Sequence, residues 1–139
     1  KNWSVENFRS LAEELKMKGF RVGWLAGPAE EDLKFPPTDT AVCQPGLVRL
    51  ARILAGSRLY IGNDSGVTHL AAAMGCPTVA IFQASDPAIW APVGKRVRIV
   101  HPPHGQMKGD SPAAAGTQIS TSVVLQVAEE LLEGREGNE

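Results

Sequence analysis

The chain has only two cysteines in 139 residues and a single tyrosine. No apolar run approaches the roughly 20 residues of a membrane span. Cys43 and Cys76 lie far apart and form no CxxC pair. That leaves no disulfide framework and no metal-knuckle pattern, so both read as reduced, buried thiols of a cytoplasmic protein. Neither charge sign dominates: 14 Lys and Arg face 15 Asp and Glu, for a net charge of −1. Broad nucleic-acid binding needs a basic footprint that this balance does not supply. The chain opens on a polar, amphipathic segment with no secretory pattern. Neither GxxxxGK[ST] nor GxGxxG occurs. With 43% apolar and 21% charged residues, the composition suits one compact domain over residues 1–139.

The pattern along the chain alternates strand and helix. "WSVENFRSLAEELKMKG" reads as a helix with Ser4 placed to cap it. Asn7 stands where a capping box would carry Glu or Gln. Val5, Phe8, Leu11, Leu15 and Met17 mark its apolar face, and Gly19 its stop. "RVGWLAG" is a short strand, "AEEDLKF" a helical turn or two, and "TAVCQ" a weaker strand. "GLVRLARILAGS" is an amphipathic helix that sends Leu47, Leu50, Ala51 and Leu54 inward. "RLYIG", "PTVAIF" and "KRVRIVH" are strands, the last an edge candidate. "VTHLAAAMG" and "ISTSVVLQVAEELLEG" are helices. Residues 102–116 read as a loop and 135–139 as a tail.

Strands that are apolar on both faces and alternate with helices predict an α/β fold, a parallel sheet covered by helices on both sides. A doubly wound domain usually begins with a strand, and this sequence begins with a helix.

The stretch "YIGNDSGVTHLAAAMG" carries the chemistry. In an open parallel sheet, ligands bind beyond the carboxyl ends of the strands. There the 63–66 loop leads into a helix whose first N–H groups have no intrahelical partner. The helix dipole adds about half a positive charge, which makes an anion site. Gly66 lets an anion approach the backbone, Ser65 adds a hydroxyl, and Thr68 and His69 lie in the first turn. The same residues also fit plainer roles, with Asp64 or Ser65 as a helix cap and His69 as a satisfied, partly buried histidine.

The segments "KNW…F", "GPAEE", "IGNDSGVTHLAAAMGCPTVAIF" and "DPAIWAPVG" together resemble glycosyltransferase family nine, the ADP-heptose:lipopolysaccharide heptosyltransferases. The resemblance spans nearly the whole chain in order. It implies the Rossmann-like, C-terminal, donor-binding half of a B-type two-domain enzyme. It also implies a strand and a glycine-containing loop just before the K-x-W motif, and neither is present. Loss of that central strand would leave backbone groups unpaired, at a cost of several kcal/mol or about that order. A gap, a reordered sheet or a second chain is the expected consequence.

By resemblance, the amides of Asp64, Ser65 and Gly66 hold the donor diphosphate, with His69 beside them. Lys1, from K-x-W, neutralises the departing diphosphate, and Glu30, from G-x-x-E, accepts from ribose hydroxyls. Gln44 and Leu47 border the adenine. Taken alone, Lys1 reads as a solvated chain end and Glu30 as an exposed residue at a helix start. Trp3, Trp24 and Trp90 read as core or domain-contact aromatics, and Asp86-Pro87 as a turn. His101 and His104 have no paired ligand, so no metal site is expected, and no cofactor.

The implied reaction is inverting, metal-independent transfer of heptose from ADP-heptose to the lipopolysaccharide inner core. The catalytic base would lie in an N-terminal domain that nothing here matches, and this chain alone is expected to be inactive. Implied partners are the ADP-sugar, the lipopolysaccharide acceptor and that domain, at a cytoplasmic location peripheral to the inner membrane face. Two other readings stay open. One is a nucleotide-sugar epimerase or B-type transferase with a different donor. The other is a non-catalytic α/β anion-binding module, such as a receiver-like domain using Glu30 and Glu31.

Overall fold

The computed structural model describes residues 3–30, 33–83, 94, 96–102 and 119–137, without the side chains of residues 29 and 134–137. Lys1, Glu31, the Asp86-Pro87 turn, Trp90, His104 and most of the 102–116 segment lie outside the described residues.

Helix α1 (Val5–Met17) starts at Ser4, whose Oγ accepts from the Asn7 amide at 3.2 Å. It ends before Gly19, whose φ of +96° suits a residue without a Cβ. Strand β1 (Gly23–Ala26) follows and is closed by a single 3-10 turn, Pro28–Glu30. Strand β2 (Thr40–Cys43), helix α2 (Leu47–Ala55) and strand β3 (Tyr60–Asn63) come next. Then follow helix α3 (Gly66–Ala73), strands β4 (Thr78–Ile81) and β5 (Val97–Val100), and helix α4 (Thr121–Gly137). Helix α4 runs into the stretch expected to be a tail.

All strand pairings are parallel. They form two sheets, β1-β2 and β3-β4-β5, with no ladder between β1 and β3 among the described residues. Among the described residues strand β5 pairs with β4 alone, the edge position expected of "KRVRIVH".

Helices cover both faces of the three-stranded sheet. Val79 and Ile81 alternate onto one face and meet Trp3, Leu11 and Leu15 from the α1 side and Val124, Ala128 and Leu131 of α4. On the other face Leu54 of α2 and Ala71 of α3 pack with Cys76, Tyr60 and Leu25. Complete burial of one such aliphatic side chain contributes about 1.5–3 kcal/mol. Strand β4 is buried along its whole length, which is why Val79, Ala80 and Ile81 run on without polar alternation after the buried Thr78. Strand β2 is the opposite case, largely exposed, which explains its weaker pattern.

Three expectations about burial need correction. Met17 is 82% exposed because it lies about 200° around α1 from Leu15, on the side away from the core. Leu47 is 71% exposed because it opens α2, ahead of the turns that meet the core. Cys43 is exposed at the end of β2, and only Cys76 is a buried thiol.

Candidate functional site at the end of strand β3

Strand β3 does not release its ladder at Asn63. The Asp64 amide still donates to the Ile81 carbonyl, at 3.2 Å. That amide is therefore not one of the free donors expected of Asp64. The chain turns at Ser65, which is extended (φ −161°, ψ 169°) and caps α3 by accepting from the Thr68 amide at 3.4 Å. Of the two candidate caps, Ser65 performs the role.

Beneath the loop lies a compact hydroxyl network. Thr68 has no exposed surface, and its single hydroxyl proton goes to the Asn63 carbonyl. Its oxygen lies 3.3 Å from the hydroxyls of both Tyr60 and Ser65. Burial pushes the Tyr60 phenol above its ordinary pKa, and the Thr68 and Ser65 hydroxyls pull it back in part. Tyr60 therefore stays neutral at physiological pH. Gly62 makes this possible, since a Cβ there would collide with the Tyr60 ring.

With the loop braced from below, its upper side is open. Among the described residues, no acceptor meets the amides of Ser65, Gly66 and Val67. A Cβ built on Gly66 meets nothing within 4 Å. These N–H groups stand at the positive end of the α3 dipole, an arrangement that favours an oxyanion. His69 is on the rim, 45% exposed, with Nε2 3.9 Å from Asp64 Oδ1. That contact keeps the imidazole beside the loop and gives Asp64 a side-chain role in place of a free amide.

The other candidate residues follow β1 and β2. Glu30 Oε1 accepts from the Gly27 amide at 2.7 Å, and the Glu30 amide donates back to the Gly27 carbonyl at 3.0 Å. The carboxylate thus closes the turn after β1 with one oxygen. Gln44 adopts a left-handed conformation (φ 45°), which costs about 1 kcal/mol for a residue with a Cβ. Its amide donates to Ala26 at 2.7 Å. Leu47 and Val48 then stand exposed in the first turn of α2. No described hydrogen bond or ion pair joins Glu30 to the loop after β3. Lys1 lies outside the described residues. His101 is exposed, with Nδ1 2.8 Å from the Pro102 carbonyl. Among the described residues no cluster of His, Cys, Asp or Glu is arranged to hold a metal ion.

Two features escaped the sequence pattern. Asn63 Oδ1 accepts from the Trp3 amide at 3.0 Å, across 60 positions. The Tyr60–Gly62–Thr68 brace had a local signal: a tyrosine two residues before a glycine on one strand face, then S-x-x-T. The K-x-W tryptophan is a core residue, 3% exposed, with Nε1 donating to the Ile119 carbonyl at 2.8 Å.

Solved structures share this fold. An Escherichia coli ADP-heptose lipopolysaccharide heptosyltransferase II superposes with a TM-score of 0.80 at 20% identity, over 96% of this chain and 43% of that one. An E. coli heptosyltransferase solved with ADP gives 0.73 at 24% identity, over 93% and 39%. Among curated proteins, lipopolysaccharide heptosyltransferase 1 of E. coli is 27% identical over 136 residues, 94% of this chain and 39% of the relative. Its Pseudomonas aeruginosa counterpart is 31% identical over 101 residues, 68% of this chain and 28% of the relative. The chain thus spans well under half the length of these relatives. The family model for glycosyltransferase family 9 (heptosyltransferase) matches residues 1–112 and so takes in the braced loop and both strand-end groups. On that match, the chain belongs to glycosyltransferase family 9.

Proposed function

We propose that this chain is the donor-binding part of an enzyme that transfers heptose from ADP-heptose to the lipopolysaccharide inner core. The observation that carries the reading is the trio of open amides at Ser65, Gly66 and Val67, held rigid by Tyr60 and Thr68. A diphosphate laid across that loop would receive N–H donors that need no reorganisation as charge develops on the leaving group. Lys1 from the K-x-W segment would add positive charge there, and His69 on the rim would lie beside the phosphates. Such a set can carry the developing charge without a metal. The second oxygen of Glu30 would accept from the ribose hydroxyls. Gln44 and the exposed Leu47 would border the adenine, with Leu47 offering an apolar surface to the base.

The base that deprotonates the acceptor hydroxyl is assigned to no residue here. It belongs to the part of the relatives that this chain does not match, so the segment by itself is inactive. The acceptor places the enzyme in the cytoplasm, against the inner membrane face. Among the described residues no helix is long and apolar enough to cross a membrane.

The test is an NMR titration with ADP and, separately, UDP. Binding of ADP should move the amide signals of Ser65, Gly66 and Val67 most, with UDP weaker. Shifts centred elsewhere, or no binding of either nucleotide, would refute the assignment.

A further inference from the structure

We propose that Gln83 reads the sugar of the donor: its carboxamide, at the carboxyl end of β4, hydrogen-bonds hydroxyls of a glycosyl group whose diphosphate lies on the neighbouring loop after β3. The inference rests on the reading of that loop as a donor-diphosphate site.

Gln83 Oε1 is buried and meets no hydrogen-bond donor. Among the described residues it is the one buried side-chain polar atom left in that state. An acceptor taken out of water without a donor destabilises a fold, and native proteins keep few of them. The local sequence does not require it. Val79 to Phe82 are buried and apolar, and a methionine next in line would extend that run without stranding an oxygen.

The place of Gln83 in the sheet suggests what the oxygen is for. The Asp64 amide donates to the Ile81 carbonyl at 3.2 Å, and Asn63 pairs with Ile81 in the β3-β4 ladder. Gln83 stands two residues beyond Ile81, at most about 7 Å of backbone, and parallel neighbours run about 4.8 Å apart. It therefore lies at the strand end next to the open amides. Strand β4 flanks β3 directly, whereas Glu30 and Gln44 follow β1 and β2 of the other sheet. With the nucleoside assigned to those two strand ends and the diphosphate to the β3 loop, the glycosyl group falls to β4.

The chemistry suits a polyol. A carboxamide accepts from one hydroxyl through its oxygen and donates to another through its N–H groups. It is uncharged, so it does not repel a diphosphate as a carboxylate would. The residue as a whole is half-buried, and the terminal torsion of a glutamine is broad. A turn of the carboxamide brings the oxygen from its dry position to a sugar hydroxyl. That bond is gained only when the sugar is present.

The experiment compares ADP and ADP-heptose by calorimetry, on the full-length chain that carries this segment and on its Gln83→Met variant. The ratio of ADP-heptose affinity to ADP affinity should fall about tenfold in the variant, the scale of one lost hydrogen bond with its partner left unpaired. The variant should also melt no lower than wild type, because no bond within the free protein is removed. An unchanged ratio overturns the inference, and is the result expected if the oxygen merely holds a structural water. A clearly lower melting temperature also overturns it, since the carboxamide would then be satisfied inside the fold. If Gln83→Met does not fold, the affinity ratio in Gln83→Ser decides by the same tenfold criterion. Failure of the underlying reading looks different: wild type then binds neither ADP nor ADP-heptose.

Discussion

The ring of Tyr60 occupies the space above Gly62, two residues along the same strand, and carries the phenol hydroxyl to 3.3 Å from Thr68 Oγ1. The glycine is therefore a space requirement of the brace under the loop. Gly62→Ala forces the phenol out of the network or bends β3. Overpacking of this kind costs about 1–3 kcal/mol. Urea denaturation should show a lower midpoint with an unchanged slope, and ADP binding should weaken with it. An alanine variant as stable as wild type would show that the ring does not need this space.

Gly66 separates the loop's chemistry from its stability. Nothing stands within 4 Å of a Cβ built there, and alanine is the better residue inside a helix. Gly66→Ala should melt at or slightly above the wild-type temperature. The new methyl would stand among the open amides, where an oxyanion must come close. A loss of ADP affinity of about tenfold, or about 1.4 kcal/mol, is expected. Unchanged affinity would place the nucleotide elsewhere.

How far the sequence could carry these conclusions follows from the range of each interaction. Ser4 with Gly19, and Ser65 three residues before Thr68, are signals within one or two turns, and they mark α1 and α3 where the structure has them. The apolar run Val79–Phe82 through β4 reports burial on both faces. Leu47 is exposed because a helical period says which residues share a face but not how far along the helix a neighbour extends, whereas Met17 falls off the Leu11–Leu15 face altogether. Glu30 looked like a free carboxylate, yet one of its oxygens closes the turn at Gly27, a choice that only the folded backbone reveals. The contact of Trp3 with Asn63 joins positions 60 apart and leaves no local trace.

The two cysteines offer a chemical check on the fold. Cys43 is exposed at the end of β2, and Cys76 is 3% exposed between α3 and β4, with Sγ 3.6 Å from the Ser57 carbonyl. A thiol reagent should modify one cysteine per chain in the native protein and both in denaturant. Peptide mapping should find the native label on Cys43. Rapid native labelling of Cys76 would mean that the packing of α3 against β4 opens readily.

Asp39 provides a stability test away from the loop. Its side chain is 2% exposed and accepts from Trp24 Nε1 at 2.9 Å and from Lys16 Nζ at 3.0 and 3.2 Å, tying α1 to the β1-β2 pair. The Trp24 N–H is the largest influence holding the carboxyl below its ordinary value of 3.8; burial opposes it, and Lys16 adds to the lowering. A group whose folded pKa is depressed contributes stability above its unfolded pKa and loses it as pH falls through the folded value. Lys16 shifts upward, through Glu13 first and then Asp39, so its contribution is complete below 10.5 and fades as pH rises through the folded value. The pair is thus fully formed across the neutral range. Asp39→Asn should lower the melting temperature at about pH 7 and keep the deficit down to about pH 5. Below about pH 4 the deficit should narrow, because the wild-type carboxyl then also loses its charge. Melts of both proteins at several pH values measure this directly, and a deficit of equal size at about pH 3 and about pH 7 would show that the Asp39 charge is not what holds α1 to these strands.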